Sequence, residues 1–112
     1  MEHLDAIGTP SKIVCPDCNG VLWAITGSRP ARFRCHTGHA FTERSLAYAQ
    51  GLATDQALWT AFRSLQERER LLRMMAAAGR KRGDEAAAAR CEAEAEHVAL
   101  HAMQLQGIVT GE

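Results

Sequence analysis

The chain has 112 residues, of which 46% are hydrophobic, and thirteen Lys and Arg residues balance thirteen Asp and Glu residues. This length allows one domain, or one small module with a helical extension. The hydrophobic content is normal for a globular protein, so the chain is not disordered over its whole length. A net charge of zero argues against strong attraction to a polyanion or a membrane surface. So short a chain favours a binding or interaction module over an enzyme.

The N-terminal sequence lacks the basic and apolar segments of a signal peptide, and no apolar run is long enough to span a bilayer. We therefore expect a cytoplasmic protein without membrane contacts. Four cysteines in such a protein are better explained as reduced thiols or metal ligands than as disulfides.

In chain order, residues 1–11 are predicted to be an N-terminal tail and residues 12–41 a compact β-hairpin. Residues 21–25 (VLWAI) are β-prone, residues 26–30 (TGSRP) are typical of a turn, and residues 32–35 alternate polar and apolar side chains. The simplest interpretation is one β-hairpin that carries metal ligands at its open ends.

The ligands follow a spacing that is typical of a zinc ribbon. Cys15 and Cys18 form a C-x2-C pair, and Cys35 follows after sixteen residues, with His39 four positions beyond it. A segment of this size buries too little surface to fold alone, so a bound metal would contribute its folding free energy. The sequence predicts one structural Zn²⁺ held by Cys15, Cys18, Cys35 and His39.

His36 is the alternative fourth ligand. It is adjacent to Cys35, and adjacent side chains rarely converge on one ion, so His39 is the preferred choice. Four protein ligands leave no open coordination position, which predicts a structural rather than a catalytic site. If only three ligands bound, Glu43 would be the nearest base for a zinc-bound water.

From residue 42 onward the composition favours helices up to about residue 107, followed by a C-terminal tail over residues 108–112. Thr42 is predicted to cap a short first helix that ends near Gly51, and Thr54 or Asp55 to start a long second helix. Gly83 and Asp84 mark the turn into a third helix that ends at Gly107.

The two long helices share a heptad-like pattern, which predicts an antiparallel helical hairpin with large side chains facing small ones. Cys91 is expected near Met75, and Val98 near Leu65 or Arg68. The predicted contact positions are 58, 62, 65, 69, 72, 76 and 79 on one helix, and 88, 91, 95, 98, 102, 105 and 109 on the other. Trp59, Leu71 and Met74 lie off this pattern and leave apolar surface for a partner.

Other candidate sites are weaker. His97 and His101 have the i, i+4 spacing of a helical metal pair, although a solvent-exposed face explains them more simply. Cys91 falls on the helix contact and is expected to be an inert thiol. The alternative function is nucleic-acid binding by the ribbon, which would use a set of arginines with Trp23 and Phe33 as stacking side chains. Those arginines are Arg29, Arg32 and Arg34.

The segments CPDCNGVLW (residues 15–23) and FRCHTGHAF (residues 33–41) resemble the C-terminal extension of some bacterial CheB-like chemotaxis methylesterases. The residues ALW (57–59) and LQER (65–68) extend the resemblance, which spans residues 12–106. It implies a bacterial signalling context. It does not imply esterase activity, because the catalytic domain of those enzymes has no counterpart in this sequence.

The sequence therefore predicts a small α+β protein with an N-terminal zinc-ribbon β-hairpin followed by a long antiparallel helical hairpin. The predicted function is a non-catalytic, zinc-stabilised interaction module. Its expected partner is another protein or a second copy of the chain, bound through the long helices.

Overall fold

The computed structural model describes residue 4 and residues 6–111. The strands in this part of the chain are β1 (Gly8–Val14), β2 (Val21–Ile25), β3 (Arg32–Arg34) and β4 (Ala40–Thr42), and two long helices follow, α1 (Glu43–Lys81) and α2 (Glu85–Thr110). The chain divides into two compact units, which we call the ribbon unit (residues 1–54) and the helical unit (residues 55–112). The predicted α+β class is confirmed. Helix α1 begins in the ribbon unit and ends in the helical unit.

The ribbon unit contains one four-stranded antiparallel sheet in the order β1-β2-β3-β4. Trp23 lies opposite Arg34, and Phe33 lies opposite Phe41, which sets the register of the three C-terminal strands. Because consecutive strands run in opposite directions, the β1–β2 and β3–β4 connections lie at the same end of the sheet. The sheet therefore brings together two segments that are separated in sequence.

The predicted tail over residues 1–11 is wrong for its described C-terminal part, because residues 8–11 belong to β1. Residues 8–11 (GTPS) have the composition of a turn but form a strand. Gly8 allows this because β1 approaches the Ala24 carbonyl more closely than a residue with a side chain could. Ser11 Oγ donates a hydrogen bond of 2.7 Å to the Leu22 carbonyl. Pro10 is tolerated because β1 is an edge strand.

The core of the ribbon unit joins the sheet to the first turns of α1. Its buried residues are Cys15, Leu22, Cys35 and Leu46, and Ile13, Phe33 and Phe41 pack half-buried against them. Two of the three cysteines of the predicted ligand set, Cys15 and Cys35, are thus part of the core, whereas Cys18 is exposed. A change that moves these cysteines should disturb the packing of the whole unit.

Helix α1 is continuous, so the predicted break at Gly51 and restart at Thr54 or Asp55 are wrong. Its N-terminal cap is as predicted: Thr42 Oγ1 accepts a hydrogen bond from the Ser45 N–H, and Ser45 Oγ accepts one from the Thr42 N–H. A helix interior tolerates one glycine at a cost of about 1 kcal/mol, and no proline is present to stop it.

The turn between the helices has the predicted chemistry. Gly83 adopts a left-handed φ of 82°, and the Asp84 carboxylate accepts a hydrogen bond of 3.1 Å from the Ala87 N–H. The predicted end at Gly107 is wrong, because α2 runs through it to Thr110 and Gly111 supplies the left-handed cap. A tail over residues 108–112 is accordingly replaced by helix as far as residue 110.

The predicted contact between α1 and α2 is confirmed, since every one of its positions is buried or half-buried. Leu72 packs with Ala95 and Val98, and Leu65 lies against the same cluster. A methyl group on Gly79 would lie 3.4 Å from the Ala88 side chain, so this glycine permits close approach. Three exposed ion pairs also join the helices: Arg68–Glu94, Arg80–Glu85 and Arg80–Glu92.

Much of the larger apolar surface of the helical unit faces outward. Its buried side chains are mostly alanines, whereas several large side chains are about half exposed or more: Trp59, Leu71, Met74, Met75, Leu100, Met103 and Ile108. Over the described residues, neither helix has the length and apolarity needed to cross a membrane.

Candidate metal centre

The first half of the site is the turn between β1 and β2. The Cys15 N–H donates to the Gly20 carbonyl at 2.6 Å, and the Asn19 N–H donates to the Cys15 carbonyl at 2.7 Å. Asn19 takes the left-handed conformation, with φ of 63°. Gly20 provides space, because a Cβ there would lie 3.4 Å from Cys18 Sγ.

The second half of the site is the turn between β3 and β4, which has a similar pair of hydrogen bonds but is one residue shorter. The Gly38 N–H donates to the Cys35 carbonyl at 3.1 Å, and the Cys35 N–H donates to the His39 carbonyl at 3.0 Å. Gly38 has a φ of 104°, a backbone conformation that residues with a side chain rarely adopt. This tight turn brings the His39 ring back beside the Cys35 sulfur.

The sheet places these two turns so that four donor atoms converge. One ligand atom from each of Cys15, Cys18, Cys35 and His39 lies within 4.8 Å of the other three. Cys18 Sγ is 3.7 Å from Cys35 Sγ, and His39 Nδ1 is 3.6 Å from Cys15 Sγ and 3.3 Å from Cys35 Sγ. The sulfurs are too far apart for a disulfide bond, and all three thiols are free.

These separations can be compared with those of a tetrahedral zinc site. With Zn–S of about 2.3 Å and Zn–N of about 2.0 Å, two sulfurs would lie about 3.8 Å apart and a sulfur and a nitrogen about 3.5 Å apart. The Cys18–Cys35, Cys15–His39 and Cys35–His39 distances lie within about 0.2 Å of these values, and the other three donor pairs lie within 4.8 Å. The four residues could therefore hold a metal ion of this size with little movement.

The electrostatics of the site favour charged thiolates at Cys18 and Cys35. Burial raises the pKa of Cys35, but hydrogen bonds from the Thr37 hydroxyl and from the backbone at His39 and Thr37 outweigh it and lower the pKa to about 5. The Thr37 hydroxyl likewise lowers the pKa of Cys18. Burial raises the pKa of Cys15, and the hydrogen bond with Cys18 raises that of His39.

Thr37 is a residue that the sequence analysis missed. Its Oγ1 is 2.9 Å from Cys35 Sγ, 3.5 Å from Cys18 Sγ and 3.3 Å from His39 Nδ1. A hydroxyl has one proton to donate, so the closer Cys35 sulfur is its natural acceptor. The only sequence signal for this role is that Thr37 lies between the two predicted ligands Cys35 and His39.

The remaining candidates near this turn lie outside the cluster. His36 is exposed, and so is Glu43, the first residue of α1. Neither belongs to the group of four donors. The predicted preference for His39 over His36 thus agrees with the geometry, and nothing in the cluster gives Glu43 a role.

The structure changes the basis for nucleic-acid binding by the ribbon. Trp23 is only 4% exposed, and Phe33 packs against the core. The Trp23 ring therefore has no free face for base stacking, and the Phe33 ring is half-buried. Arg29, Arg32 and Arg34 are exposed, but the burial of Trp23 removes one of the two aromatic side chains on which that hypothesis depended.

The candidates on α2 are isolated. The rings of His97 and His101 meet edge to face, with centroids 6.1 Å apart, and no third donor joins them among the described residues. Cys91 is half-buried and lines a cleft together with Met75, close to its predicted position.

The chain was compared with known protein families, curated proteins and solved structures. It matches no family, no curated protein and no solved structure.

Proposed function

We propose that this protein is a non-catalytic interaction module whose ribbon unit is held together by one structural zinc ion. The observation that carries the proposal is the convergence of Cys15, Cys18, Cys35 and His39 within 4.8 Å of one another. The ribbon unit would present a rigid surface, and the helical unit would dock on a partner.

Zinc is the metal that best fits this donor set. Three thiolates and one imidazole in a tetrahedron are characteristic of structural zinc sites, whereas calcium and magnesium require oxygen ligands. Cytoplasmic thiols remain reduced and available to a metal. Four protein donors would fill the tetrahedron, which supports a structural rather than a catalytic role.

The helical unit supports the second part of the proposal. Leu71 and Met74 are 55% and 63% exposed, one turn apart on α1. A patch of this kind is typical of a surface that is covered in an assembly. We infer that a protein partner covers it, and a second copy of this chain is the first candidate.

The biological context of the proposal comes from the resemblance of the ribbon sequence. The segments around Cys15–Cys18 and Cys35–His39 resemble an extension of CheB-like chemotaxis methylesterases. On that basis we propose a bacterial signalling role in the cytoplasm, without esterase activity of its own.

The zinc site is tested by native mass spectrometry of freshly purified protein without added metal. We expect one zinc ion per chain, and the loss of that ion in Cys18→Ser and His39→Ala. Cys91→Ser and His36→Ala are the matched controls, because their side chains lie outside the cluster, and both should retain zinc. Full zinc content in Cys18→Ser would refute the ligand set.

Self-association is tested on the same samples by counting subunits. Replacing Leu71 and Met74 together by Glu should convert a dimer into a monomer, because charged side chains would then occupy the apolar patch. Replacing the exposed polar residues Thr60 and Gln104 by Glu is the control and should leave the dimer intact. A wild-type protein that is monomeric at high micromolar concentration would contradict the homodimer.

A further inference from the structure

The ribbon unit contains a groove on the sheet, separate from the four metal-site donors. Its volume is about 530 Å³, which is within the range of ligand-binding clefts. Apolar side chains contribute to its lining, including Ile7 and Ile25, which are half-buried, and Ala40, which is exposed. The groove is therefore an accessible, largely apolar surface with polar groups beside it.

Two arginines flank this groove from the same face of the sheet. Arg32 lies opposite Thr42 and Arg34 lies opposite Ala40, so both side chains project from one side of β3. Residues two positions apart on a strand are separated by about 7 Å. The small side chains of Ala40 and Thr42 on the edge strand leave both guanidinium groups uncovered, and both arginines are exposed.

The charge of these arginines is not neutralised by any described residue. The ion pairs seen in the described part of the chain, such as Arg68–Glu94 and Arg80–Glu92, lie in the helical unit. None of them includes Arg32 or Arg34. A groove with an apolar floor and two guanidinium groups that pair with no carboxylate among residues 6–111 is complementary to a ligand that carries both carboxylates and an apolar side chain.

Two observations favour a polypeptide over a nucleic acid as this ligand. The tryptophan of the ribbon, Trp23, is buried and cannot stack on a base. The chain has no net charge, so it lacks the long-range attraction that nucleic-acid binding uses. An extended peptide, in contrast, repeats its side chains every two residues, which is the spacing of Arg32 and Arg34.

We propose that this groove is a docking site for an acidic segment of a partner protein. Two carboxylates of that segment pair with Arg32 and Arg34, and an apolar side chain enters the groove beside Ile25. The inference rests on the proposed interaction function and adds to it the chemistry of one partner surface. It is independent of the helical patch, which serves self-association.

The test uses the full zinc-loaded chain as bait for a library of phage-displayed random peptides. Enriched peptides should contain acidic residues alternating with an apolar one. Their affinity should fall about tenfold, or about 1.4 kcal/mol, when Arg32 and Arg34 are both replaced by Ala. The matched control replaces Arg63 and Arg70, which are exposed arginines of the helical unit, and should leave the affinity unchanged.

Several outcomes would overturn the proposal. These are an absence of enrichment, enrichment of peptides without acidic residues, equal binding to the Arg32→Ala/Arg34→Ala variant, and tighter binding of single-stranded oligothymidine through the same arginines. Metal content is measured on each variant, so failure at the groove can be distinguished from failure of the zinc site. A chain that carries zinc but binds no acidic peptide would refute this inference alone.

Discussion

At the scale of single residues, Thr37 contributes to the candidate metal centre without being one of its four donors. Its hydroxyl lies 2.9 Å from the Cys35 sulfur and stabilises the thiolate form. Metal binding requires thiolates and a neutral imidazole, so protons compete with the metal for these donors. Any residue that favours the thiolate therefore extends metal binding to lower pH.

We predict that Thr37→Val releases zinc at a higher pH than the wild-type protein. Loss of the hydroxyl removes a hydrogen bond that lowers the pKa of Cys35, and a bond of about 1 kcal/mol corresponds to an upward shift of roughly half to one pH unit. A colorimetric zinc chelator measures the release during acid titration. Thr26→Val, in the turn at the other end of the sheet, is the control. Identical release midpoints for the Thr37 variant and the wild type would contradict this role.

The signs of the pKa shifts also determine how pH affects the metal-free ribbon. Cys35 has its pKa lowered to about 5, so its contribution to stability is complete above the unfolded pKa of about 8.5 and disappears as the pH falls through about 5. His39 has a raised pKa, so its contribution is complete below the unfolded pKa of about 6.5 and disappears as the pH rises through the raised value. Because Cys18 and Cys35 raise the pKa of His39, the contribution of His39 also requires that these cysteines are thiolates.

At the scale of elements, α1 shows how helix propensity and helix packing act together. Glycine has the lowest helix propensity of any residue except proline, yet α1 continues through Gly51. A Cβ added at Gly51 would contact nothing within 4 Å, whereas one added at Gly79 would press against Asp84 and Ala88. A close approach between the helices therefore explains Gly79 but not Gly51.

We predict that Gly51→Ala raises the free energy of unfolding by about 0.5–1 kcal/mol, because alanine loses less backbone entropy in a helix. Gly79→Ala, the matched variant, should give no gain or a loss, since its methyl group would push the two helices apart. Urea denaturation followed by far-ultraviolet circular dichroism measures both. Equal stabilisation by the two substitutions would show that the contact at Gly79 imposes no constraint.

At the scale of the whole molecule, the two units depend on different sources of stability. The core of the ribbon unit contains Cys15 and Cys35 themselves, so we expect its folding to depend on metal binding at these residues. In the helical unit, Leu72 packs with Ala95 and Val98, and exposed ion pairs join the two helices. None of these contacts involves the candidate metal centre. Each unit also contains one tryptophan, Trp23 in the ribbon unit and Trp59 in the helical unit.

We predict that a strong zinc chelator unfolds the ribbon unit and leaves most of the helical signal. In Trp59→Phe, the emission of Trp23 should shift to the red on chelation, because this buried ring becomes exposed to water. In Trp23→Phe, the emission of Trp59, which is already 50% exposed, should change little. An unchanged Trp23 emission after complete metal removal would refute the coupling of ribbon folding to the metal.

Several features of this protein could be predicted from local sequence alone. The spacing of Cys15, Cys18 and Cys35 predicted the two turns of the candidate metal centre, and the heptad pattern predicted each contact position between the long helices. The Gly83–Asp84 turn was predicted as well. These features depend on residues a few positions apart, where turn chemistry and helical periodicity act directly.

The tertiary structure decided the features that depend on distant residues. Residues 8–11 join the sheet because Gly8 and Ser11 meet β2, which no local propensity reveals. The sheet also brings Thr37 beside Cys18, buries Trp23, and places Arg32 and Arg34 on one face next to a groove. Local spacing and periodicity specify which residues can bind a metal and which can pack two helices together. Only the packing of the four strands decided how those residues and the arginine-flanked groove are arranged, because strand pairing is a non-local interaction.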